Sequence, residues 1–242
     1  MLSRLRHPEP SPAAGSDLVI GAHDLSLGYG HFPAVKDLNL EARAGELVGL
    51  FGANGAGKST TLLGLAGWLR PSSGSVSWLG ETTTARMHVR VRRGLAYVPE
   101  ESGVVPNLSV RDNFRLSRGN VDGLAQAPEL ERMPARKGGL LSGGERQILA
   151  LTRAISRQPR LILIDELSLG LAPLIVARLF EMLRRAADQG AAVIVVEQQV
   201  ETALRYVDRG YVLRDGSLAL KGTVGELLDR RDELEASYLS VT

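Results

Sequence analysis

Three features of the chain predict an α/β fold: a mostly parallel core sheet, an antiparallel β subdomain and an inserted α-helical subdomain. Short apolar runs at 46–51, 161–164 and 191–196 have the length of buried central strands, and 95–98 reads as another. Helical spacing follows at 58–69, 173–187 and 200–207, and strands alternating with helices imply parallel pairing. From 99 to about 157 that alternation gives way to turns, two short helical stretches and a helix from about Glu145, which marks the insertion.

Each remaining element has its own local signal. Leu18-Val19-Ile20, Leu25-Ser26-Leu27 and Leu38-Asn39-Leu40 are separate strand-like pieces with Gly and Asp between them, and 75–79 adds another. Pro71 and Gly74 are expected to stop the helix that begins at Lys58. Asp215-Gly216, between apolar 211–213 and 217–220, signals a two-residue hairpin. Residues 1–16 hold several prolines and basic residues but no apolar stretch, so they read as a disordered extension rather than a signal, and 17–242 as one domain.

Composition excludes several functions. The chain has 242 residues, no cysteine and a formal net charge of +2. Disulfides, thiolate nucleophiles and cysteine-bound metals are therefore ruled out, and the charge is too small to argue for a nucleic-acid surface. No apolar run approaches the roughly 20 residues that span a bilayer. If the protein meets a membrane, another subunit brings it there.

Gly52-Ala53-Asn54-Gly55-Ala56-Gly57-Lys58-Ser59-Thr60 fits G-x-x-x-x-G-K-[ST], placed after an apolar strand and before a helix. Glycines let backbone N–H groups close on phosphate oxygens, and the helix N-terminus adds its dipole. Lys58 is expected at the β- and γ-phosphates of ATP, and Ser59 on Mg²⁺. A chance glycine-rich turn is the bland alternative, and the flanking strand and helix weigh against it. Asp165 and Glu166 end the run Leu161-Ile162-Leu163-Ile164. Asp165 is the expected second magnesium ligand and Glu166 the group that polarises the attacking water. Leu141-Ser142-Gly143-Gly144-Glu145 opens a helix, with Ser142 and Glu145 spaced as a capping box. Capping leaves the Gly143-Gly144 pair unexplained, whereas exposed N–H groups at a helix start form an anion site.

Leu141 to Glu145, followed by Arg146-Gln147 and placed before the Asp-Glu strand, resembles the signature of the ABC (ATP-binding cassette) family. The resemblance extends from about Asp17 to the C-terminal region. It implies that the signature completes a nucleotide site on a second cassette subunit, and that Tyr29 stacks on adenine. Tyr97-Val98-Pro99-Glu100, Ser168 to Pro173, and Val196-Glu197-Gln198-Gln199 are similar to the LivF-type ATPases of branched-chain amino acid importers. That likeness implies a peripheral subunit on the cytoplasmic membrane face. Its partners would be a LivG-like ATPase or a second copy, two transmembrane permeases and, indirectly, a substrate-binding protein.

Three positions depart from the general family pattern. Glu100 stands where most cassettes carry Gln, Gln198 where most carry His, and Leu167 where Pro is usual. Gln198 can hydrogen-bond a γ-phosphate but carries no proton or charge, so intrinsic hydrolysis is expected to be slow. Glu100 offers magnesium a charged oxygen. A soluble ABC protein of DNA repair or translation is disfavoured, because the long coiled coil or second cassette of such chains is missing. For a non-hydrolysing partner half, Glu166 argues against and Gln198 argues mildly in favour.

Overall fold

The computed structural model describes residues 17–117 and 121–239; the extension expected at 1–16 lies outside them. In chain order the elements are β1 (Leu18–Tyr29), β2 (Phe32–Arg43), β3 (Leu47–Phe51), α1 (Lys58–Ala66), β4 (Ser73–Trp78), β5 (Glu81–Thr82), α2 (Met87–Arg92) and β6 (Leu95–Val98). They continue as α3 (Val110–Arg115), α4 (Pro128–Glu131), α5 (Gly143–Ile155), β7 (Leu161–Ile164), α6 (Pro173–Asp188), β8 (Ala192–Glu197) and α7 (Val200–Ala203). The chain closes with β9 (Arg209–Arg214), β10 (Ser217–Thr223), α8 (Val224–Asp229) and α9 (Arg231–Leu239).

Two sheets result. One runs β10-β9-β3-β8-β7-β6, parallel except for the β9–β10 hairpin; the other runs β2-β1-β4-β5 and is antiparallel. The central strands β3, β7 and β8 are buried along their whole length, and their side chains sort with period two. Ile162, Ile164, Val193 and Val195 join a core with α5 and α6 residues such as Leu149 and Leu179. Leu161, Leu163, Ile194 and Val196 face the other way, into a core shared with α1 and the antiparallel sheet. A sheet buried on both faces has no solvated side, so these runs lack alternation in polarity.

Several local expectations are corrected. The three strand fragments near the N-terminus are two continuous twelve-residue strands, because Asp24 and Asp37, each at φ 46°, are absorbed as bulges rather than breaks. Helix α1 stops at Gly67, four residues before Pro71: Gly67 takes φ 78°, its N–H caps Gly64, and a Cβ there would lie 2.5 Å from the Ala85 carbonyl oxygen. The expected helix from Glu145 begins at Gly143, and that from Val200 ends at Ala203. At the predicted hairpin, Asp215 and Gly216 both have positive φ, 50° and 79°, as a primed turn requires.

Candidate nucleotide site

Four parallel strands end at one edge of the large sheet, and the candidate site grows from there. β3 runs into Gly52, β6 into Pro99 and Glu100, β7 into Asp165 and Glu166, and β8 ends at Glu197, followed by Gln198. Register keeps these ends level, with Val98 beside Ile164, Ile164 beside Val195, and Phe51 beside Glu197. The carboxyl edge of an open parallel sheet is where such folds bind ligands.

The loop after β3 can be built only with glycine at two positions. Gly52 and Gly57 have φ of 144° and 97°, and a Cβ would lie 2.4 Å from the Leu213 carbonyl oxygen in the first case and 2.6 Å from that of Ala34 in the second. Gly55 also has positive φ, 79°, but faces open space. Asn54 and Ser59 are exposed, while Ala56 and Thr60 are buried. Lys58 is buried and donates from Nζ to the carbonyls of Gly52 and Ala53, at 2.8 and 2.9 Å. Burial pulls its pKa down, against the upward pull of Glu166 and Asp165.

Ser59, Asp165, Glu166 and Gln198 come together as expected, and Glu100 stands near them. Ser59 Oγ donates to Asp165 Oδ1 at 2.9 Å. Burial raises the Asp165 pKa, opposed by that hydrogen bond, and the neighbouring Glu166 charge adds to the rise. Glu166 has φ 50°, a left-handed conformation that costs a non-glycine residue on the order of 1 kcal/mol or more. Its Oε1 accepts a hydrogen bond from Gln198 Nε2. Glu100 is exposed, and its pKa is raised chiefly by the Glu166 charge. Leu167, in contrast, is buried in the core with α5 and α6, so its departure from the family pattern is answered by packing.

Tyr29 ends β1 with half its surface exposed, 51%. The signature residues form a second locus, at the tip of α5. Ser142 Oγ accepts from the Glu145 N–H, and Glu145 Oε2 accepts from the Ser142 N–H at 2.7 Å, so the capping box is complete. That backbone bond also holds the Glu145 carboxyl below its ordinary range. Leu141 is buried, and the glycine pair divides. Gly144 is buried where a Cβ would lie 3.0 Å from Ile175 on α6, so close packing accounts for it; it is not exposed, as the sequence implied. Gly143 is exposed, and a Cβ there would meet only Leu171, at an ordinary 3.5 Å. Among the described residues, no hydrogen bond or ion pair joins this tip to the phosphate loop. The exposed leucines 140, 169 and 174 lie on the neighbouring turns, Leu174 at 81%.

Two contacts were not foreseen from the sequence. Tyr97 donates to Asp165 Oδ2 at 3.4 Å, and burial beside Asp165 pushes its phenol well above the usual range. Ser168 Oγ donates to Glu197 Oε2 at 2.6 Å, with both residues buried. A carboxylate closing an otherwise apolar buried strand was the available signal for the second. The first had none, since tyrosine at a strand end is ordinary.

A magnesium ion fits the donor set here without a dedicated cage. Among the described residues no three His, Cys, Asp or Glu converge on one point, but magnesium characteristically takes one or two protein oxygens and fills its shell from phosphates and water. Ser59 and Asp165, already bonded to one another, supply that pair.

Known proteins agree with this architecture. The family described as ABC transporter matches residues 35–168. A branched-chain amino acid transport ATP-binding protein of Pseudomonas aeruginosa, BraG, is 37% identical over 215 residues, covering 84% of this chain and 92% of that one. A probable branched-chain amino acid transport ATP-binding protein of Archaeoglobus fulgidus, LivF, is 34% identical, covering 85% and 92%. The lipopolysaccharide export ATP-binding protein LptB of Acidithiobacillus ferridurans is 33% identical, covering 87% and 92%. Among solved structures, the ATP-binding subunit of an ABC transporter superposes with TM-score 0.77 at 29% identity, covering 90% of this chain and 95% of that one. A dimeric bacterial ABC transporter cassette gives 0.76 at 26%, covering 85% and 99%. Among the described residues no helix is long and apolar enough to cross a membrane. The chain belongs to the ABC transporter family, as one of its ATP-binding, ATP-hydrolysing subunits.

Proposed function

We propose that this chain drives import of branched-chain or related amino acids by closing on ATP as one half of a cassette dimer. The supporting observation is the cluster of Lys58, Ser59, Asp165, Glu166 and Gln198 at the carboxyl edge of β3, β7 and β8. In this reading the loop from Gly52 to Thr60 and the Lys58 ammonium hold the triphosphate, and Tyr29 takes the adenine. Ser59 and Asp165 would hold magnesium, and Glu100 would offer it a further oxygen. When bound, magnesium would supply neutralisation of the negative charge that develops on the phosphate. Glu166, oriented by Gln198, accepts the proton of a water whose oxygen attacks the γ-phosphorus as the bond to the leaving ADP oxygen breaks.

The exposed start of α5 at Gly143 serves the triphosphate of a second subunit, and the exposed leucines 140, 169 and 174 flank that contact. A LivG-like ATPase is the favoured partner, with two membrane permeases completing the assembly on the cytoplasmic membrane face and a binding protein delivering the cargo. Amino acids are favoured as that cargo by the likeness to BraG and LivF. Lipopolysaccharide export is the second reading, raised by LptB. Titration calorimetry with Mg-ATP tests the nucleotide site. Heat of binding is expected for the native chain, with affinity at least about a hundredfold weaker in Lys58→Ala; equal heats in the two would overturn the reading.

A further inference from the structure

The segments that follow β7 and end β8 are joined by two adjacent cross-links. One is half-buried at the site: Gln198 Nε2 donates to Glu166 Oε1. The other lies beneath it: Ser168 Oγ donates to Glu197 Oε2 at 2.6 Å, with Ser168 3% and Glu197 2% exposed. Glu166 and Ser168 are two residues apart on one segment, and Glu197 and Gln198 are consecutive on the other. The strands are paired in parallel register, Ile164 opposite Val195, so both links span the same gap.

The lower link is unfavourable to build. A carboxylate taken from water at the end of an apolar strand is tolerated only when it is well bonded. Here Oε1 of Glu197 is buried with no hydrogen-bond partner among the described residues, and burial pushes the carboxyl up to about 7. Apolar side chains fill the remainder of β8, Ala192 to Val196, and one more at position 197 would carry no desolvation penalty. At the upper link, Glu166 has a left-handed backbone conformation, a geometry that needs its surroundings to enforce it.

We infer that Ser168 and Glu197 are positioning residues: their buried hydrogen bond locks the segment after β7 to the end of β8 and thereby aims Gln198 at Glu166. This rests on the roles proposed above for Glu166 and Gln198. Neither Ser168 nor Glu197 touches nucleotide in this scheme; both act through the half-buried pair Glu166 and Gln198.

A double-mutant cycle on ATP turnover by the full chain separates positioning from general structural support. Ser168→Ala is expected to lower kcat about tenfold with KM for ATP unchanged. In a Gln198→Ala background the same change is expected to cost less than about twofold, because the group it aims is gone. Glu197→Ala should match Ser168→Ala, whereas Glu197→Gln, whose amide oxygen still accepts from Ser168, should recover most of the loss. Equal costs of Ser168→Ala in both backgrounds, or a rise in KM in place of a fall in kcat, overturn the inference. If Ser168→Ala fails to fold, the Glu197→Gln and Glu197→Ala pair decides: equal kcat in those two overturns it. A Glu166→Gln variant that hydrolyses ATP as fast as wild type would overturn the proposed function and this inference together. Additivity alongside a slow Glu166→Gln would overturn this inference alone.

Discussion

The chain carries two glycine-rich turns at helix starts, and they are constrained in opposite ways. In the phosphate loop, Gly52 and Gly57 sit at positive φ with carbonyl oxygens of Leu213 and Ala34 where a Cβ would go. Nothing else fits. The cation and carboxylates that complete this site come from the same chain, through Lys58, Asp165 and Glu166. At the α5 tip, Gly143 has helical backbone and room for a methyl group, and its neighbourhood ends in exposed leucines instead of partners. A glycine that its own fold requires says little about what binds there. A glycine that its fold does not require points to something outside the chain.

The sharpest way to test the self-contained half is Glu166→Gln. Removing the proposed base while keeping its shape should slow ATP hydrolysis by roughly 10²–10⁴ and leave Mg-ATP binding by calorimetry unchanged. A loss of binding instead would mean that Glu166 holds nucleotide rather than water.

The contrast itself can be broken with one methyl at each turn. Gly57→Ala should destabilise the chain by about 2 kcal/mol or more in urea unfolding, since φ of 97° and the 2.6 Å approach to Ala34 are both violated. Gly143→Ala should leave the unfolding midpoint nearly unmoved, yet cut partner-dependent ATP turnover at least about tenfold, by blocking an anion site. If Gly143→Ala unfolds as easily as Gly57→Ala, the distinction between inward and outward glycines is lost.

The smallest effect on turnover, and a test of the buried link, is the pH dependence of stability. Glu197 has a folded pKa raised from 4.5 to about 7, so the folded state favours the protonated carboxyl. Its contribution to stability is complete below about pH 4.5 and is lost as pH rises through 7, a swing of at most about 3 kcal/mol. Glu197→Gln cannot titrate, so its stability relative to wild type should increase between pH 5 and pH 8 in urea unfolding. Parallel pH profiles for the two proteins would show that Glu197 does not carry the shift.

Much of the site was legible because its chemistry is local. Gly52 to Thr60 contains its own turn, cation and hydroxyl, and Leu161 to Glu166 its own strand and carboxylates; both could be read from contiguous residues. Ser142 and Glu145 close a capping box within one helical turn, as their spacing foretold. Where expectation and structure part, the deciding contact is distant in sequence. Gly67 ends α1 against Ala85, and Asp24 and Asp37 are absorbed into long strands by pairing across β1 and β2. The short helices α2, α8 and α9 carry no periodic signal long enough to recognise.

Residue type and spacing alone determined that a triphosphate-binding loop precedes a helix, that two carboxylates end a buried strand, and that the core is a parallel sheet. These depend on backbone geometry within a few residues and on apolar periodicity. Only the tertiary structure decided that Gly144 packs on Ile175 while Gly143 stays open, that Leu167 is core, and that Ser168 meets Glu197 below Gln198 and Glu166. Each of those depends on which strand lies beside which. Order in a sheet is set by the packing of the whole domain, not by any one stretch of chain.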